Sequence, residues 1–128
     1  MSTAISHDIQ VTVRARFDAA HSDPRAGRFV FGYRVTLVNT GRGTVQLLRR
    51  QWTITDSLAS EREVEGPGVV GQTPVLLPGG SFTYSSACDL RSGLGRMEGS
   101  YLMRRMDDGS MFRVRIPPFL LCWPALEN

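Results

Sequence analysis

The chain contains no lysine. Its fifteen basic residues are all arginine and stand against twelve acidic ones, for a formal net charge of +3. So small an excess, spread in pairs with acids between them, makes no concentrated basic patch, and nucleic-acid binding is set aside. Arginine alone does supply a planar fork suited to carboxylate and phosphate. Cysteine is scarce: Cys88 and Cys122 lie far apart, and neither belongs to a C-x-x-C pair. That fits a reducing cytoplasm, with both thiols packed as small hydrophobes. The first ten residues lack the apolar stretch of a signal peptide. No apolar run approaches the ~18 residues of a membrane helix, which excludes membrane insertion by a helix. No segment carries a sustained i, i+3, i+4 apolar stripe, so helices are not expected to build the fold. Neither a repeat nor a linker divides the chain, and its 128 residues are read as one domain, residues 1–128, with a core from about 9 to 122.

What remains is a period of two. Ile9, Val11, Val13, Ala15 and Phe17 alternate with Gln10, Thr12, Arg14 and Arg16, the pattern of a half-buried strand. Phe29, Phe31, Tyr33, Val35 and Leu37 repeat it, and residues 39–43 read as a turn. Two further runs follow, Thr44–Leu48 and Gln51–Thr55. Arg62–Glu65 is a charged strand suited to an edge, where charge discourages pairing with another chain. Leu77-Pro78-Gly79-Gly80 is a turn, Phe82–Ser86 a strand, and residues 91–96 a Gly-rich loop. Ser100–Met106 and Met111–Ile116 flank Asp107-Asp108-Gly109, a hairpin signal. Pro117-Pro118 is expected to break the sheet before a last short strand, Phe119–Trp123. Residues 1–7 and 124–128 read as frayed ends. About eight strands at this spacing predict an all-β antiparallel sandwich.

Four constellations invite a functional reading. Gly66, Gly68 and Gly71 spell G-x-G-x-x-G, but Pro74 and Pro78 forbid the helix that a dinucleotide fingerprint requires. The glycines are read first as a loop needing positive φ. The alternative is an anion-binding concavity of backbone N–H groups over Gly66, Gly68, Val69, Val70 and Gly71, with Arg49, Arg50 or Arg62 adding charge and a phosphate-type anion as ligand. Metal ligation is not predicted, because His7, His21, Cys88 and Cys122 are scattered; His21 and Asp23 are a close pair that reads as a loop, and Asp107-Asp108, which could hold Mg²⁺ weakly through waters, reads as a turn. Hydrolysis is not predicted either, since no G-x-S-x-G elbow exists and Cys88 has no basic neighbour. Arg14/Arg16 and Arg113/Arg115 sit two apart, so each pair projects from one face of its strand. Were the two strands neighbours, four guanidinium groups would line one partner surface. Glu61, Glu63 and Glu65 likewise share a face, where they solubilise an edge.

Several blocks together resemble the ApaG family: Thr44–Leu48, then Trp52–Asp56, Gly68–Gly71 before Pro74-Val75-Leu76, Pro78-Gly79 before Phe82-Thr83-Tyr84, Met97–Tyr101, and Ile116–Phe119. They stand in the family's order across most of residues 9–121. The resemblance implies a fibronectin type III-like β-sandwich. It also implies a binding module, since similar domains occur fused to F-box and polymerase-interacting proteins in eukaryotes. The family is linked to cobalt resistance and magnesium efflux. Where it commonly has His before the central Trp this chain has Gln51, so no role of that His is carried over.

The resulting expectation is a non-enzymatic, cofactor-free, cytoplasmic module that binds an unidentified protein partner, with a role in divalent-cation homeostasis implied by resemblance. A small-anion binder at Gly66–Gly71 and a direct Co²⁺ or Mg²⁺ binder are the alternatives.

Overall fold

The computed structural model describes residues 1–127 and is built of strands, with three short 3₁₀ turns at Ala19–His21, Pro24–Ala26 and Pro124–Glu127. The strands are β1 (Ser2–Ser6), β2 (Ile9–Phe17), β3 (Phe29–Asn39), β4 (Val45–Asp56), β5 (Ala59–Pro67), β6 (Val75–Leu76), β7 (Ser81–Leu90), β8 (Leu94–Arg105) and β9 (Met111–Cys122). They form two antiparallel sheets, ordered β1-β2-β3-β7 and β5-β4-β8-β9, with β6 pairing β4 off that path. The all-β antiparallel sandwich is as predicted, with nine strands in place of about eight. The order β2-β3-β7 over β5-β4-β8-β9 is the fibronectin type III arrangement, to which β1 is added.

Alternation decides which side chains are inside. Ile9, Val11 and Val13 of β2 meet Phe31, Tyr33, Val35 and Leu37 of β3, and across the sandwich Leu47, Trp52, Met97, Tyr101, Val114 and Ile116; all are buried. Each such side chain contributes about 1.5–3 kcal/mol of transfer free energy. Tyr33, Trp52 and Phe119 form an aromatic cluster with centroids 5.5–5.9 Å apart. Trp123 packs edge-on against Phe29 and closes one end of the core.

The structure departs from the sequence pattern in five places. Thr44–Leu48 and Gln51–Thr55 belong to one strand, β4, whose register against β8 passes from Leu47↔Met103 to Arg49↔Leu102. Leu48 is an extra residue in a β-bulge, and it shifts the phase of alternation from odd to even positions, so Trp52 and Ile54 still face inward. Pro117-Pro118 does not break the sheet. Register passes from Gly99↔Ile116 to Met97↔Phe119, so the two prolines bulge opposite Glu98 on an edge strand that can dispense with their N–H groups. Residues 1–7 do not fray, because Ser2–Ser6 pairs with Val13–Ile9 through a tight turn at His7 and Asp8, both at positive φ. The Gly-rich loop ends at Gly93, and β8 begins at Leu94. At the other terminus Pro124–Glu127 forms a 3₁₀ turn, and Asn128 lies outside the described residues.

Within β8, Gly99 has no substitute. A Cβ there would stand 2.0 Å from the carbonyl oxygen of Gln51, so only hydrogen allows β4 and β8 to approach.

Candidate functional site

Registers in the four-stranded sheet place its outward side chains in rows. Arg14 lies opposite Arg34, and Arg34 opposite Ser85; Arg16 lies opposite Gly32, and Gly32 opposite Ala87. The next row holds Thr12, Thr36 and Thr83, with Thr3 beyond, joined by hydroxyl contacts of 3.3 Å (Thr3–Thr12) and 3.1 Å (Thr36–Thr83). Arg14, Arg16, Arg34 and Ser85 are exposed and line a shallow groove with Gly32 in its floor. None of these three arginines has a carboxylate within ion-pair distance among the described residues; the pairs formed are His21–Asp18, Arg49–Glu65, Arg62–Asp89 and Arg96–Glu98. Like charges directly opposite across a ladder repel. The free protein therefore carries a cost at Arg14–Arg34 that an acidic ligand would relieve.

The expected second pair is elsewhere. Arg113 and Arg115 are on β9, in the other sheet, so the two pairs do not form one four-arginine face. Arg113 donates to Ser100 Oγ at 3.2 Å. Arg34, which completes the arginine cluster, carries no flag in the sequence pattern beyond its outward phase in the Phe29–Leu37 run.

Gly66 and Pro67 end β5, and the tight turn that follows spans Val69–Gln72; no helix begins there. Val69 bridges Gln72, with Val70 at φ 43° and Gly71 at φ 77°. Gly68 also has positive φ, and a Cβ on it would lie 2.3 Å from the Gln72 carbonyl oxygen. Positive φ is thus required at Gly68 and Gly71, whereas Gly66 lies inside β5 and is not a loop residue. Of the three arginines assigned to this segment, Arg50 reaches it: its Nη1 donates to the carbonyls of Pro67 and Gly68 at 2.9 and 3.0 Å. The N–H of Gly68 donates to Leu48 O, and that of Val69 to Gln72 O. Arg49 pairs with Glu65 at 3.4 Å. Arg62 lies opposite Ile54, well along β5, and turns to β7, where its guanidinium donates to the Asp89 carbonyl.

The remaining reactive groups go to separate places. His7 packs on Phe112 with centroids 5.3 Å apart. His21 pairs with Asp18 at 2.8 Å rather than with Asp23, and this hydrogen bond holds the Asp18 carboxyl below its usual range. Burial pushes the Cys88 thiol up to about 11, although the Arg62 charge opposes it; such a thiol is a poor nucleophile. Tyr84 and Tyr101 share a buried 2.5 Å hydroxyl contact, and desolvation raises both phenols. Among the described residues no three His, Cys, Asp or Glu side chains gather where a metal could sit. No described helix is long and apolar enough to cross a membrane.

The fold's edges differ as well. Short β1 abuts β9, where Ser6 Oγ accepts the Arg115 N–H at 3.1 Å. β9 carries the two-proline bulge, and β5 carries Glu61, Arg62, Glu63, Glu65 and Pro67. β7 pairs with β3 without a register shift, contains no proline, and has Asp89 as its one charged residue.

A fibronectin type III-like sandwich with an uncompensated arginine face defines, as a class, a small β-domain whose distinctive chemistry is on its surface. The ApaG domain model matches residues 19–105, and the chain belongs to the ApaG family. It is 46% identical over 124 residues to Protein ApaG of Brucella suis biovar 1, covering 97% of this chain and 95% of that one. It is 47% identical over 128 residues to Protein ApaG of Anaeromyxobacter dehalogenans, covering both completely. Among solved structures, that of the putative ApaA protein from Bordetella pertussis superposes with a TM-score of 0.87 at 42% identity, covering 91% of this chain and 94% of that one.

Proposed function

We propose that the chain is a non-enzymatic binding module whose partner is a protein with an acidic surface. The observation that supports this most is the set Arg14, Arg16 and Arg34 on one outer face, with no carboxylate of the described chain to pair them. Exposed guanidinium groups over a glycine floor suit bidentate contact with carboxylates at little steric cost. The role in cobalt and magnesium homeostasis rests on family resemblance and is exercised through the partner. In support, the His and Cys side chains stand apart from one another, so the chain's own ligand sets are poor.

The test is capture from the native cell extract by the wild-type domain, alongside the double variant Arg14→Glu, Arg34→Glu. The expected result is a protein held at low salt by the wild type and lost by the variant. Equal recovery by both removes the arginine face from the reading. Titration of ¹⁵N-labelled protein with pyrophosphate, Co²⁺ and Mg²⁺ separates the alternatives. Amide shifts confined to residues 66–71 favour the anion, and shifts at His21 or Asp107 favour the metal.

A further inference from the structure

We propose that the open edge of β7 accepts an extended, acidic segment of the partner as an added strand, a placement that rests on the binding-module reading above. Three of the four sheet edges carry devices that discourage strand addition: the short β1 seated against β9, the prolines and bulge of β9, and the charges of β5. The fourth, β7, carries none over Ser81–Cys88. In an antiparallel ladder alternate residues turn both backbone groups away from their partner strand. The phase is fixed on β3, where the Val30 N–H and carbonyl engage Ser22 Oγ and the Asp18 N–H on the far side from β7. Val30 is opposite Asp89, so Asp89, Ala87, Ser85, Thr83 and Ser81 present N–H and C=O to the free edge. Consistently, the Asp89 carbonyl is taken by Arg62 from outside the sheet.

Those same residues carry their side chains on the arginine face. A strand hydrogen-bonded to Ser85 would place its paired side chain on that face too, about 4.8 Å from β7 and about twice that from β3. This is within reach of the Arg34 guanidinium, so a carboxylate at alternate positions meets the charge it lacks. The backbone row selects a polypeptide; a polyphosphate or nucleic acid would meet the arginines but leave the N–H and C=O groups of the edge unused.

The probe is an eight-residue peptide alternating glutamate and valine, titrated into the full ¹⁵N-labelled chain. Two N-methylated forms accompany it: one blocked at the glutamate amides, which would face β7, and one blocked at the valine amides, which would face away. The expected result is a Kd below about 1 mM, with slowed amide exchange at Thr83, Ser85 and Ala87. Blocking the glutamate amides weakens binding at least tenfold, while blocking the valine amides changes it less than threefold. Equal affinity of the two blocked forms, or no binding of the parent peptide by 1 mM, overturns strand addition. If Arg34→Glu still abolishes capture from extract in that case, the arginine face stands without the edge. If it leaves capture unchanged, the binding-module reading fails on its own.

Discussion

The two outer faces of this sandwich are built from the same alternating strands and differ in how their charges are settled. On the five-stranded sheet Arg49 meets Glu65 and Arg96 meets Glu98, and Glu61 and Glu63 line the edge. On the four-stranded sheet Arg14, Arg16 and Arg34 stand among Thr and Ser hydroxyls, two of them directly opposite each other. Exposed pairs contribute little to stability, commonly under 1 kcal/mol each. The contrast is therefore one of composition: the five-stranded face mixes arginines with carboxylates, although Arg113 and Arg115 of β9 pair with none, whereas on the four-stranded face no carboxylate of the described residues pairs with Arg14, Arg16 or Arg34.

The contrast sharpens first at the glycines under each face. Gly99→Ala, in the five-stranded sheet, drives a methyl into the Gln51 carbonyl and should cost about 3 kcal/mol in guanidinium unfolding, as overpacking in a tight site does. The next effect lies at the junction of the sheets. Asp56, buried at the end of β4, accepts from the Arg91 N–H, the Ser92 hydroxyl and the Leu58 N–H at 2.7, 2.7 and 3.1 Å. Burial alone would raise its carboxyl, but the three donors outweigh it and hold it below the usual range. Asp56→Ala should cost about 2 kcal/mol at neutral pH. A depressed folded-state value gives stability that is present above the ordinary carboxylate pKa of about 4 and lost as pH falls through the lower folded value. Unfolding curves at pH 7 and pH 3 should show the wild-type advantage shrinking at the lower pH; an unchanged gap refutes the account.

Charge reversal tests the faces directly. Arg14→Glu with Arg34→Glu should weaken capture of an acidic partner at least tenfold, about 1.4 kcal/mol, whereas Glu61→Lys with Glu63→Lys changes it less than twofold. Similar losses for both would erase the distinction. Arg34→Glu alone should at once reduce binding and raise stability by a few tenths of a kcal/mol, because a cross-strand repulsion becomes an attraction. Another small effect is at Gly32, where an added Cβ meets nothing nearer than the Ser86 carbonyl at 4.0 Å. Gly32→Ala should be neutral to about 1 kcal/mol stabilising in thermal unfolding; a large loss would mean that the groove floor serves packing.

Much of the fold was legible because period two survives in β2, β3, β7 and the β8–β9 hairpin. It was obscured where one residue changes the phase. Leu48 divides β4 into two apparent runs, and Pro117-Pro118 imitates an end of β9 although both prolines sit in a bulge. The β1–β2 hairpin escaped notice because His7-Asp8 takes the positive-φ turn that Asn-Gly usually signals. Arg14 and Arg16 were legible as a pair from spacing. Arg34 was not, because residues 18–28 separate β2 from β3 and hide the register that sets it against Arg14. The assembly of β2 and β9 into different sheets is a long-range outcome that no local spacing encodes, and it is why Arg113 and Arg115 fall elsewhere.

Arg62 gives the β7 edge a closed end. A row of equivalent backbone groups offers an arriving chain no starting point, and such ladders slip by two residues at little cost. With its guanidinium fastened to the carbonyl and carboxylate of Asp89, the row terminates at Ala87 like a slot with a stop. A segment entering it would be positioned against that stop, and its first side chains would be read at fixed places along the strand.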